Sequence, residues 1–164
     1  MRTVQHRDLS LEAFSPYGAY SDMVRPSGPS FSGPGFSFYR DMARLHLGQE
    51  TLASFSVCVV GKREPIVDTL EYHNGCGELM MPLDGDVLMQ VAPATSRSEP
   101  PLDQLEVFRV PAGTLVVLHA GVWHHAPYVH GCERVNILVA LPERTYAKDA
   151  VVVEIGPSAR LLVK

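Results

Sequence analysis

The chain has 164 residues, 46 % of them apolar and 20 % charged, a size and balance that predict one globular domain burying about two-thirds of its unfolded surface. A net charge of −4 without a basic cluster excludes a nucleic-acid surface. Apolar runs are strand-length, no apolar segment follows Met1 to Arg7, and the three cysteines (Cys58, Cys76, Cys132) show no CxxC spacing, which together predict no membrane span, no signal peptide and reduced thiols in a cytoplasmic protein.

In chain order, Ser10 followed by Glu12 reads as a helix N-cap, so one short helix or helical turn is expected between residues 10 and 18. Residues 25–35, Arg-Pro-Ser-Gly-Pro-Ser-Phe-Ser-Gly-Pro-Gly, read as a mobile loop and a candidate lid. Strand-like runs separated by turn signals follow at 36–40, 51–61, 66–73, 79–82, 86–92, 104–110, 114–119, 123–130, 134–141 and 150–155, with a second polar loop at 94–103. Ten short strands with no helical period predict an all-β sandwich or barrel. No repeat or linker divides the sequence, so residues 1–164 are expected to form a single domain, with 1–50 as an N-terminal arm and loop and 51–164 as the barrel core.

Two segments about forty residues apart carry the chemistry. The first runs Glu71-Tyr72-His73-Asn74-Gly75-Cys76-Gly77-Glu78, and the second ends Ala120-Gly121-Val122-Trp123-His124-His125. On a strand, residues i and i+2 share a face, so Glu71 and His73 point the same way. The Asn-Gly-Cys-Gly turn can return Glu78 to the same place. Glu71, His73, Glu78 and His124 are then candidate ligands for a divalent first-row metal, and a carboxylate amid Leu79, Met80 and Met81 is costly to bury unless paired or coordinated. Strand alternation lets only one of His124 and His125 enter the pocket, which leaves His125 and His130 as surface or rim residues. Other readings stay open: His73 and His124 as packed core histidines, Glu71 as a group orienting a ligand rather than binding metal, His119 as a turn or catalytic residue, and Trp123 as packing rather than substrate contact.

These segments resemble the two motifs of the cupin superfamily. His73, Glu78 and Gly85 fall on the second His, the Glu and the closing Gly of the first motif, while Glu71 replaces its first His and Pro65 its opening Gly. Gly113, Gly121 and His124 fit the second motif, where His119 replaces a Pro and Tyr128 an Asn. Within the cupins the chain resembles the ureidoglycolate lyases. The likeness rests on Leu9 to Gly18, Tyr39-Arg40-Asp41-Met42-Ala43, Leu70 to His73, Met81-Pro82-Leu83-Asp84-Gly85 and Val122-Trp123-His124-His125. Two positions depart from that family's pattern, which has Gln at Glu78 and a basic residue at Tyr72.

The resemblance implies a cupin-type double-stranded β-helix, or jelly-roll barrel, with a short N-terminal helix, pairing as a homodimer. It also implies a metal-assisted lyase converting a small carboxylated carbinolamide, ureidoglycolate, to glyoxylate and urea. Glu71, His73, Glu78 and His124 would hold a divalent ion (Ni, Mn, Fe or Zn), with Glu78 and His124 as catalytic groups. The substrate carboxylate calls for a guanidinium from Arg134 or Arg40, with Trp123 and Tyr128 as further substrate contacts. The same ligand set also suits an oxygenase or isomerase acting on a small organic acid, or a cupin that only binds a metabolite.

Overall fold

The computed structural model describes residues 1–164. In chain order its elements are β1 (Arg2–Val4), β2 (His6–Asp8), α1 (Leu11–Phe14), β3 (Gly18–Asp22), β4 (Ser30–Gly33), β5 (Phe36–Tyr39), β6 (Ala53–Gly61), β7 (Ile66–Val67), β8 (Thr69–Tyr72) and β9 (Glu78–Pro82). There follow β10 (Asp86–Ala92), β11 (Glu106–Val110), β12 (Thr114–Leu118), β13 (Trp123–His124), β14 (Tyr128–His130), β15 (Arg134–Pro142), α2 (Thr145–Lys148), β16 (Val151–Glu154) and β17 (Leu161–Val163). No helix is long and apolar enough to cross a membrane.

A five-stranded sheet has the order β3-β12-β9-β15-β6, and a seven-stranded sheet has β16-β8-β13-β10-β11-β2, with β14 also paired to β10. From β6 onward the chain keeps crossing between them: β8, β10, β11, β13 and β14 lie in the larger sheet, and β6, β9, β12 and β15 in the smaller. That alternation is the jelly-roll form of two sheets closing on one interior, as the cupin resemblance implies.

Strand alternation sorts side chains between two apolar clusters. Val87, Met89 and Val91 of β10 join Met80, Phe108, Val116, Leu118 and Ile137 between the two sheets. The intervening Leu88 and Ala92 join Leu70, Val107, Trp123 and Tyr128 in a second cluster on the outer side of the larger sheet. A three-stranded sheet, β1-β17-β7, covers that outer side with Val67, Leu161 and Val163. Strand β10 at the centre of the larger sheet is therefore buried on both faces, which explains why it reads as a continuous apolar run rather than as an alternating one.

Several expectations are corrected. The first residues are no arm: β1 pairs with β17, β2 with β11 and β3 with β12, so they are sheet members. These strands are short and carry no clear alternation. The segment 25–35 is half hairpin, because β4 pairs with β5 across Pro34-Gly35, and Gly35 takes the positive φ (82°) that the turn needs. The run 66–73 splits at Asp68, where the chain leaves β17 to pair with β16 and β13. The run 123–130 splits at 125–127, where Pro127 offers no N–H to a ladder. Ser10 does cap a helix, its Oγ accepting from the Ala13 N–H at 3.2 Å, but the helix stops at Phe14, just short of Pro16. Cys58, Cys76 and Cys132 are all free thiols.

Candidate metal centre

At one end of the barrel the two motif segments meet. Glu71 stands directly opposite His124 in the β8–β13 pair, and His124 also faces Val91 of β10. His73 follows the end of β8, and Glu78 opens β9 opposite Leu118. Gly121, in the left-handed region at φ 80°, donates its N–H to the His73 carbonyl at 2.6 Å and ties the second motif to the first. Gly77 is required for another reason: a Cβ there would lie 2.7 Å from the Leu118 carbonyl oxygen.

The turn between His73 and Glu78 is held by a residue far along the chain. The Asp149 carboxylate, at the C-terminal cap of α2, accepts from the Asn74 N–H at 3.0 Å and the Gly75 N–H at 2.7 Å. Its backbone carbonyl accepts from His73 Nδ1 at 2.7 Å. His124 Nδ1 likewise donates to the Val122 carbonyl at 2.9 Å. A carbonyl only accepts, so both rings carry their proton on Nδ1 and turn Nε2 inward.

Both inward nitrogens meet a single oxygen. Glu78 Oε2 lies 2.9 Å from His124 Nε2 and 3.1 Å from His73 Nε2, and all three residues are buried. Neutral imidazole Nε2 and ionised carboxylate are all acceptors, so this point needs protons or a cation among them. Burial works against charge on Glu78, but the His124 charge and the hydrogen bonds of both imidazoles outweigh it and bring its carboxyl down to about 2. Burial likewise opposes charge on His73 and His124, yet the Glu78 carboxylate holds both above the ordinary histidine value. Two imidazole nitrogens and a carboxylate oxygen are ligand types for a divalent first-row ion, and Glu78 Oε2 lies at ligand-to-ligand spacing from both nitrogens. The ligand atoms lie within 4.8 Å of one another.

Glu78 and His124 open into a cavity of about 240 Å³, lined also by Glu71, His125, Ser56 and Cys58. Glu71 is outside the converging trio but within the same cavity. His125 lines it too, because β13 ends at His124 and the following turn releases the next residue from strand alternation. The expectation that only one of the two histidines enters is thus corrected, although only His124 joins the trio. Burial keeps the His125 imidazole below its ordinary value, and the Arg63 and His124 charges add to this. Burial, followed by the Glu78 charge, raises the Cys58 thiol, which keeps it protonated.

The four expected substrate contacts are not brought to the cavity. Arg134 and Arg40 are exposed and do not line it. Trp123 belongs to the outer cluster, where alternation with His124 sends it, and its indole N–H points at Thr95 Oγ1. Tyr128 lies in the same cluster, donates to the Ile66 carbonyl at 2.6 Å, and is pushed up to about 12 by burial. His119 is exposed, and His130 meets the His6 ring edge to face. Sequence reading missed Asp149, for which no local signal exists, and the β15 residues Ile137, Val139 and Leu141, whose period-2 spacing marked one face without showing what it faces.

A two-sheet jelly roll with a His–Glu–His group between its sheets has the architecture of a cupin. The sequence profile of the family described as Ureidoglycolate lyase matches residues 1–159, and the chain belongs to that family. Comparison with curated proteins finds no match. Among solved structures, a variant of Bacillus subtilis oxalate decarboxylase is 17 % identical, with a TM-score of 0.45 over 63 % of this chain and 24 % of that one. Another structure of that decarboxylase, described for its Mn(II) centres, gives 0.44 at the same identity and coverage. Peruvianin-I, a cysteine peptidase from Thevetia peruviana latex, is 16 % identical, with a TM-score of 0.46 over 63 % of this chain and 57 % of that one. The chain thus spans about a quarter of the decarboxylase's length.

Proposed function

We propose that this protein is a metal-assisted lyase that cleaves ureidoglycolate to glyoxylate and urea. The observation that supports this most strongly is the convergence of His73 Nε2, His124 Nε2 and Glu78 Oε2, with each ring's Nδ1 proton already engaged by a backbone carbonyl. Such outer hydrogen bonds are what orient imidazole ligands at a metal.

The reaction asks little of the protein. The substrate hydroxyl loses a proton as its carbon becomes an aldehyde, the C–N bond breaks with its electron pair going to nitrogen, and that nitrogen gains a proton. A divalent ion held by His73, Glu78 and His124 would supply positive charge for the α-hydroxy carboxylate and make the hydroxyl more acidic. Since neither arginine nor lysine lines the cavity, the carboxylate relies on that charge. Glu78 and His124 are engaged with one another and would hold the ion, so proton transfer passes to other residues. His125, kept neutral by burial, takes the hydroxyl proton and returns it to the departing nitrogen. Glu71, on the same wall, accepts hydrogen bonds from the substrate and orients it.

Glyoxylate release from ureidoglycolate, followed with a coupled dehydrogenase, tests the reading. Activity is expected to vanish after exhaustive chelation and to return with added Mn²⁺, Ni²⁺, Fe²⁺ or Zn²⁺. Full turnover by protein shown by elemental analysis to hold no metal overturns the metal half, and no turnover by the metal-loaded protein overturns the substrate.

A further inference from the structure

The cavity has two unlike walls. Glu71, His124 and His125, from β8 and the end of β13, make a polar one. Facing them is the smaller sheet, a largely hydrocarbon wall in which Glu78 and Ser56 are the polar members. On β15, Ile137, Val139 and Leu141 share one face, and Met80 lies two residues after Glu78 on the same face of β9; all four line the cavity. This wall runs outward from the core: Ile137 is completely buried, Val139 and Leu141 are half-buried, and Tyr146 at the mouth is 79 % exposed.

A urea group is poorly served by such a wall. It carries donors and an acceptor that lose their water in the cavity, and four aliphatic side chains return no hydrogen bond. The polar wall suits the other end of the substrate, a hydroxyl and a carboxylate on one carbon. A ligand matching both walls has an α-hydroxyglycine head and a hydrocarbon group on the far side of the amide.

We infer that the enzyme acts preferentially on N-acyl-α-hydroxyglycines whose acyl group is a hydrocarbon chain or ring, a substrate class that rests on the lyase reading above. The bond cleaved is the same. R–CO–NH–CH(OH)–COO⁻ gives R–CO–NH₂ and OHC–COO⁻: the C–N electron pair goes to nitrogen, and the hydroxyl proton moves to that nitrogen, so no oxidant, reductant or water is consumed. The acyl chain R takes its place along Met80, Ile137, Val139 and Leu141, and its far end reaches the open mouth at Tyr146. Chains longer than the cavity are therefore tolerated. Desolvation of each methylene against this wall is the source of the preference.

The experiment compares kcat/KM for N-hexanoyl-α-hydroxyglycine and for ureidoglycolate in the metal-loaded enzyme, both read as glyoxylate release. The hexanoyl compound is expected to be favoured by about tenfold or more, since a single methylene in an apolar pocket gives discrimination of that order. Leu141→Gln and the isosteric Val139→Thr each put a polar group into the wall and are expected to lower the ratio of the two constants about tenfold, with a melting curve confirming the fold. Ureidoglycolate preferred or equal, or a ratio that neither variant changes, overturns the inference and leaves the lyase reading standing. Glyoxylate from neither compound overturns both.

Discussion

Glu78 keeps a full charge where water scarcely reaches it, at 8 % exposure, because two imidazoles share one of its oxygens. Glu78→Gln preserves shape and one acceptor but removes the charge. It is expected to weaken divalent-metal binding by about tenfold or more, measured by titration calorimetry; unchanged affinity would show that Glu78 is not a ligand. The same trio sets a pH dependence. Without metal, Glu78 contributes stability that is present above its ordinary 4.5 and is lost as pH falls toward about 2. The two histidines contribute stability that is complete below 6.5 and is lost as pH rises through their raised folded values. Melting temperature of the chelated protein is therefore expected to fall as pH rises above 6.5, whereas excess Zn²⁺, which replaces the shared protons, abolishes that fall. A chelated protein with a flat alkaline profile would show the imidazoles to be neutral in the folded state.

Among the elements, α2 matters beyond its four residues, because it ends on the aspartate that clamps the His73–Glu78 turn. Asp149→Ala frees two backbone N–H groups and lets the turn move. Metal affinity is expected to drop roughly 10- to 100-fold, as for other groups that orient ligands, and Asp149→Asn, which keeps one acceptor oxygen, to fall between. Equal affinity in all three proteins would show that the turn holds itself. This dependence illustrates what the sequence could and could not reveal. Strand β10 appears at its predicted limits, Asp86–Ala92, because Gly85 and Pro93 punctuate an apolar run. His73, Glu78 and His124 were legible because their spacing is local to two motifs. Asp149 was not, since its partners are about 75 residues away and an aspartate after a short helix has many ordinary uses. Trp123 and Tyr128 misled for a related reason: nearness in sequence to His124 says little about facing the same way when neighbours alternate and a turn intervenes.

Across the whole molecule, the three-layer build was hidden because β1, β7 and β17 are strands of two or three residues, and β1 and β17 become recognisable only when paired with each other from opposite ends of the chain. That build distributes stability unevenly. Strand β10 is buried on both faces and hydrogen-bonded along both edges, to β11 on one side and to β13 and β14 on the other. Strand β16 is the reverse: it pairs only with β8, ends the sheet, and leaves Val152 56 % exposed. In amide hydrogen exchange, residues 86–92 are expected to exchange last, through global unfolding alone, and residues 151–154 early, through local opening. Asp149, just before β16, holds His73 through its carbonyl, so an ion that fixes His73 also fastens this loose margin. Added metal is thus expected to slow exchange at residues 149–154 far more than at 86–92, and uniform slowing across the chain would show that the ion stabilises only the fold as a whole. The ligand site then acts as a rivet, joining the barrel's most persistent strands to an edge that would otherwise breathe.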